Sequence, residues 1–299
     1  MPPRSSEPPL LVTSDWLQVH ADDSRLRLFD CTGHIEFPAD QPPIARSGRA
    51  LYDRGHIPGA AYLDILADLS GVPRGDRFYA PLDPEEFAAR AGQLGIGGDV
   101  HAVLYCSRRP SWATRVWWLL RLHGFDRISL LGGGWESWVR RGGRVSLDDT
   151  VHPAAEFALG YRPRLLADTQ YVERMTRDRA LGRLVNALSP EQFRGTDSIY
   201  YGRPGHIPNS VNLSYTSLLD EGSHSSFRND ERSASMLAAA ADTAEHVVAY
   251  CGGGVGATAL AFAWALAGRA DVAVYDGSMI EWAFDPSRPI STELRTGSR

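Results

Sequence analysis

The stretch Val247-Val-Ala-Tyr-Cys251-Gly-Gly-Gly-Val-Gly-Ala-Thr-Ala-Leu260 reads as three pieces in succession. A short apolar, β-rich run ends in a cysteine, a glycine-rich turn follows, and a helical run grows out of the turn. Strand, turn and helix in that order are the unit of α/β folds built around a parallel sheet. The glycines allow positive φ and close packing of successive peptide planes. Gly252, Gly253, Gly254, Val255, Gly256 and Ala257 can then turn backbone N–H groups inward as a nest for an anion. The positive end of the following helix adds to that field. Such surroundings favour a thiolate, which makes a cysteine a competent nucleophile at neutral pH. The bland alternative is a strand-to-helix turn that binds a phosphate or nothing, beside an inert buried cysteine. The turn fits neither G-x-G-x-x-G nor the P-loop, because no Lys-Ser/Thr pair follows and the cysteine opens the loop.

Outward from this stretch, the chain repeats itself. The first half runs through 27–31 (RLFDC), Gly55-His-Ile-Pro-Gly59, 102–106 (AVLYC), a helical stretch 113–122, 128–131 and Gly132-Gly-Gly-Trp135. The second half runs through 183–188 (RLVNAL), Gly205-His-Ile-Pro208, 246–251 (HVVAYC), a helical stretch 257–267, 272–275 and Asp276-Gly-Ser278. Between them Asp148, Asp149, Pro153 and Pro163 break periodicity, marking a linker near 147–167. The expected fold class is α/β: two copies of one domain, 10–147 and 166–292, each a mainly parallel sheet flanked by helices.

Composition agrees with two soluble globular domains: 299 residues, 43% hydrophobic and 22% charged. A net charge of −5 provides neither a basic footprint for nucleic acid nor a polybasic membrane patch. The segment 1–13 lacks a signal-peptide apolar run, and no stretch approaches the roughly 18 apolar residues of a membrane span. The cytoplasm is the expected location. Cys31, Cys106 and Cys251 are too few and too scattered for a disulfide framework or a zinc site, so a cysteine that matters here matters as a thiol.

With these motifs in hand, the chain resembles the tandem rhodanese family of thiosulfate and 3-mercaptopyruvate sulfurtransferases. Cys251-Gly-Gly-Gly-Val-Gly-Ala257 is similar to the active loop Cys-Gly-Ser-Gly-Val-Thr-Ala of the mercaptopyruvate branch. Gly55-His-Ile-Pro-Gly-Ala60, Gly205-His-Ile-Pro208, Arg115-Val-Trp-Trp-Leu-Leu120, Tyr275-Asp-Gly-Ser278 and Glu281-Trp282 also match. The likeness covers roughly 11–292. It implies a non-catalytic first domain, a catalytic second domain and an active site at their interface. Cys251 is then the residue that carries sulfur as a persulfide, taken from a small donor and passed to a thiophilic acceptor (cyanide, a small thiol or a protein thiol) without a cofactor or metal.

Departures from the family pattern bear on the donor. The position two residues after the cysteine, Ser in the mercaptopyruvate branch, is Gly253, and the family's substrate-binding Arg is Gln192. The assisting His corresponds to Tyr79. Asp64 matches the acidic position of the first domain. A guanidinium pairs well with a carboxylate or sulfur oxyanion, and Arg203, just before the second Gly-His-Ile-Pro, is the first choice as substrate anchor, with Arg194 second. Either could also be a solvated loop arginine.

Other candidates read as structural. Cys106 lies beside two cations, Arg108 and Arg109, yet its loop has Pro110 and no glycine to aim amides inward. Cys31 reads as a small buried hydrophobe. His56 and His206 are expected to hold loop geometry through backbone hydrogen bonds, His224 and His246 carry no signal, and Trp117 and Trp118 belong to a core. Two rival functions remain: a binding or regulatory module that keeps the fold without turnover, and a cysteine phosphatase. The phosphatase needs an Arg at the end of the loop, where Ala257 stands.

Overall fold

The computed structural model describes residues 8–38, 43–71, 81–199, 201–222 and 225–293. Tyr79 and His224 lie outside the described residues. Strands in the first half are β1 (Leu11–Val12), β2 (Leu26–Asp30), β3 (Gly33–Glu36), β4 (Ile44–Ser47), β5 (Ala60–Tyr62), β6 (His101–Tyr105) and β7 (Ile128–Leu131). Those of the second half are β8 (Leu166–Ala167), β9 (Arg183–Asn186), β10 (Val211–Asn212), β11 (Val247–Tyr250) and β12 (Ala273–Tyr275). Two five-stranded sheets result, ordered β1-β7-β6-β2-β5 and β10-β9-β11-β12-β8, with β3 and β4 forming a separate hairpin. All pairings within the two large sheets are parallel. The two orders are the same order read from opposite ends, so the sequence repeat is a repeat of topology.

The central strands explain themselves. β11 reads VVAY and is buried at every position, as a parallel strand covered on both faces requires. Each cysteine ending an apolar run sits one residue past its strand: Cys31, Cys106 and Cys251 are the first loop residues after β2, β6 and β11. The expected strands had included them. The reason is local, since in a parallel α/β sheet the chain leaves the ladder at the carboxyl edge of the strands, where sites of such folds form.

Repeated details tie the halves together. The Ile57 N–H donates to Tyr105 Oη at 3.2 Å and the Ile207 N–H to Tyr250 Oη at 3.1 Å. His56 bridges to Ser146 and His206 to Ser291. The linker is no loose tether. Ala155 and Arg162 donate to the carbonyls of Gly92 and Leu122, so it lies as a strap along the first domain.

Two helices join the domains. In Ser111–Leu122 every residue but Arg121 is buried, and in Val255–Leu266 every residue but Gly256 and Leu266. Helices buried on nearly every face must be covered on nearly every face, and these two cover each other. Trp117 meets Phe262 edge-on at 5.0 Å, and the hydroxyls of Thr114 and Thr258 lie 2.9 Å apart. Each large side chain buried there contributes about 1.5–3 kcal/mol. Trp117 and Trp118 are core residues, 1% and 2% exposed. Among the described residues no helix is long and apolar enough to cross a membrane.

Candidate active site

Cys251 stands between β11 and the Val255–Leu266 helix, 3% exposed. Its N–H donates to Ser278 Oγ at 3.0 Å, and that hydroxyl donates to the Tyr275 carbonyl at 2.9 Å. Ser278 Oγ lies 4.0 Å from Cys251 Sγ. Ser278 adopts φ +49°, a left-handed conformation that costs a non-glycine residue about 1–3 kcal/mol. The surrounding bonds hold it there. The carbonyls of Cys251 and Gly252 accept from the N–H groups of Met279 and Ile280 at 3.1 and 2.8 Å. In a trans peptide the N–H points opposite to the preceding carbonyl. The N–H groups of Gly252 and Gly253 are therefore turned away from the Ser278–Trp282 helix.

The glycines serve two different demands. Gly254 alone among them adopts positive φ, +83°, and a β-carbon there would lie 2.7 Å from the Asp276 carbonyl. Gly252 is needed because the ring of Tyr201 lies directly on its backbone. Tyr215 borders the other side: both its ring and Cys251 Cβ lie within 3.5 Å of the space a Gly256 side chain would fill. Tyr201 is itself 7% exposed and meets Phe37, which follows β3 of the first domain, edge-on at 5.8 Å. Two rings in succession, one from each domain, thus lie over the residue that follows Cys251. Burial pushes the Tyr201 hydroxyl well above its ordinary range, so it stays protonated.

Beneath the loop, Arg115 of the first domain and Asp276 of the second form an ion pair that is 1% and 6% exposed. Arg115 also faces the Trp118 ring at 4.8 Å. Its Nη1 would lie 3.3 Å from a β-carbon at Gly254, so the pair props the turn of the loop from below.

The residues expected to meet a donor are distributed unevenly. Gln192 and Arg203 line a narrow cleft with Tyr201 and Met279. Arg203, however, is directed elsewhere: Nε donates to the Ala283 carbonyl at 2.8 Å, and Nη2 to those of Asp285 and Arg288 at 2.7 and 2.8 Å. Three carbonyls thus tie Nε and Nη2 to the segment that closes the second domain. Gln192 Oε1 accepts from the Ser189 N–H at 3.4 Å in a capping box that starts the Pro190–Arg194 helix. Arg194 pairs with Glu191 at 3.6 Å on the exposed face of that helix. Asp64 caps the Ile65–Asp68 helix by accepting from the Leu66 N–H at 3.0 Å. Neither Arg194 nor Asp64 lines the cleft.

Cys31 and Cys106 are buried, and the rings of His56 and His206 meet backbone carbonyls. Cys106 Sγ donates to the Arg109 carbonyl at 2.8 Å, and burial pushes its pKa up to about 12. Burial likewise holds Cys31 well above the usual range. His56 lies 3.0 Å from the carbonyls of both Tyr52 and Asp148, and His206 lies 2.7 Å from that of Phe193. Among the described residues no group of three or more His, Cys, Asp or Glu could hold a metal.

Sequence reasoning missed Phe37, Tyr201, Tyr215 and the Arg115–Asp276 pair. Tyr201 had a faint signal, since it stands in Tyr201-Gly-Arg203, where attention goes to the cation. Phe37 had none, because only the docking of the two domains brings it near.

The rhodanese-like domain family matches this chain twice, over residues 13–141 and 168–285. The chain belongs to the rhodanese family. Rhodanese relatives include the 3-mercaptopyruvate sulfurtransferase of Homo sapiens, 31% identical with 91% of each chain covered. Another is the thiosulfate sulfurtransferase of Gallus gallus, 30% identical, covering 91% of this chain and 92% of the relative. The crystal structure of SseA from Escherichia coli, described as a 3-mercaptopyruvate sulfotransferase, superposes with a TM-score of 0.75 at 28% identity, over 91% of this chain and 99% of that one. This rhodanese is accordingly an enzyme of the sulfurtransferase class, and its two-domain α/β architecture is the family's own.

Proposed function

We propose that the protein moves a sulfane sulfur from a small anionic donor, thiosulfate or 3-mercaptopyruvate, to a thiophilic acceptor through a persulfide on Cys251. The observation that carries this reading is the arrangement after β11. A single cysteine opens a glycine loop whose first two carbonyls are tied to Met279 and Ile280, which turns the next amides the other way. With thiosulfate, the Cys251 thiolate attacks the outer sulfur, a Cys–S–S⁻ anion forms, and sulfite leaves. With 3-mercaptopyruvate, the C–S bond breaks, the same anion forms, and pyruvate leaves carrying the former thiol proton on its methyl group. The amides from Gly252 to Ala257 and the start of the Val255–Leu266 helix stabilise the terminal sulfur anion. Cyanide, a small thiol or a protein thiol then takes the sulfur and restores the thiolate.

Of the residues offered for donor binding, Gln192 and Arg203 line the cleft, and we retain Gln192, whose side chain is not tied to three carbonyls. Arg203 supports the closing segment, and Arg194 and Asp64 serve their own helices. The relatives carry both donor names, so the donor is decided by experiment. All three cysteines are unpaired, and we place the protein in a reducing compartment, the cytoplasm.

Intact-mass measurement after incubation with each donor separately tests the proposal. Wild type should gain about 32 Da, labile to cyanide or reductant, and Cys251→Ser should gain nothing. Peptide mapping should place the added sulfur on Cys251, and not on Cys31 or Cys106. No gain with either donor would favour a rhodanese fold kept for binding alone.

A further inference from the structure

Among the described residues of the second domain, the two cations weighed as donor anchors already have partners. The loop from Gly252 to Ala257 carries no cation, Gln192 is neutral, and Arg203 and Arg194 are engaged elsewhere. The donors proposed above are anions, and the protein's own net charge is −5. Bringing an anion into a buried site without a partner is strongly unfavourable. A positive group from outside the second domain would remove that penalty.

The first domain holds one in place. The helices Ser111–Leu122 and Val255–Leu266 start side by side, as the contact between Thr114 and Thr258, each the fourth residue of its helix, requires. The turn before one helix therefore stands next to the active loop before the other. That turn, 106–110, is fixed from several directions. The Ser107 N–H donates to Thr32 Oγ1 at 3.0 Å, the Arg108 N–H to Glu136 Oε1 at 2.8 Å, and Cys106 Sγ to the Arg109 carbonyl at 2.8 Å. Arg108 is held at φ +69°, a strained conformation for a non-glycine residue. The product of this effort is the placement of Arg109. Its side chain is exposed and, among the described residues, meets no carboxylate or carbonyl. Its charge is felt at Tyr201, the residue lying on Gly252, where it favours the ionised hydroxyl against burial.

We propose that Arg109, supplied by the non-catalytic domain, holds the oxyanion end of the sulfur donor at the mouth of the Cys251 loop. The inference rests on the sulfur-transfer reading and deepens it. The donor bridges the two domains, with its sulfur on Cys251 and its carboxylate or sulfonate on the planar guanidinium, which pairs with either group.

The test compares Arg109→Gln and Arg109→Lys with wild type in the full-length protein, using thiosulfate and 3-mercaptopyruvate as donors and cyanide as acceptor. Arg164→Gln serves as a charge control, since it removes an exposed charge near Arg121, at the far end of the Ser111–Leu122 helix. Arg109→Gln should raise donor KM about tenfold or more with kcat within about threefold, and Arg109→Lys should recover part of the loss. The fall of kcat/KM with added salt should flatten in Arg109→Gln and persist in Arg164→Gln. A KM rise confined to one donor supports the proposal and names the oxyanion that Arg109 holds. A KM unchanged within about twofold for both donors overturns it. If wild type itself acquires no sulfur from either donor, the sulfur-transfer reading fails first, and that result is distinct from an unaffected variant.

Discussion

The aromatic ring of Tyr201 lies on the backbone of Gly252 with no room between them for a β-carbon. The residue after Cys251 is therefore glycine for reasons of contact, whereas two positions later Gly254 is glycine for reasons of φ. Gly252→Ala should force the ring or the loop to move, costing about 1–3 kcal/mol and most of the transfer activity. Gly256 has 3.2 Å to the nearest atom of Tyr215, so Gly256→Ala should cost less. Urea unfolding and steady-state rates on both variants check the contrast. Equal losses would mean that the Tyr201 contact is not what constrains the loop.

The ion pair of Arg115 and Asp276 spans the domains below the same loop. Removing one buried partner leaves the other charge uncompensated, a loss of about 3–5 kcal/mol. Asp276→Ala should lower the urea midpoint by that measure. Replacing both residues with apolar side chains of similar size should restore much of the stability. Failure of the double variant to recover would show that the charges are needed for the docking itself.

Arg203 donates to three carbonyls between Ala283 and Arg288. Arg203→Ala should destabilise the protein by about 1–3 kcal/mol through carbonyls left unsatisfied. Donor KM should change less than in Arg109→Gln. Unaltered stability with a large rise in KM would return this guanidinium to the donor site.

His101 predicts the acid limb of stability. Its ring lies 2.7 Å from Ser129 Oγ, and burial, helped by the Arg127 charge, lowers its pKa from 6.5 to about 4. The unfolded chain thus binds the proton at higher pH than the folded one. Stability from this group is present above about 6.5 and is lost as pH falls toward about 4. Burial lowers His123, His152 and His206 in the same direction. The urea midpoint should fall between pH 7 and pH 5, and His101→Gln should flatten that slope. A slope that His101→Gln leaves unchanged would assign the acid limb to the other histidines.

By itself the sequence determined what is written in short-range pattern. Apolar runs of strand length, three of them closed by a cysteine, two Gly-His-Ile-Pro segments and a repeated order of elements sufficed for two parallel α/β domains. The glycine run after Cys251 sufficed to single out that loop, because backbone freedom at adjacent positions is a local property. Sequence reasoning also favoured Cys251 over Cys106, since Pro110 and the absence of glycine are local too. Only the tertiary structure decided what surrounds the thiol. Phe37 reaches Tyr201 and Arg115 reaches Asp276 because two buried helices, Ser111–Leu122 and Val255–Leu266, pack against each other. Arg203 looked available because one-dimensional context shows a charge and not its partners. The carbonyls that hold it lie some 80 residues away, at Ala283, Asp285 and Arg288, and come within reach only after the second domain has closed on itself.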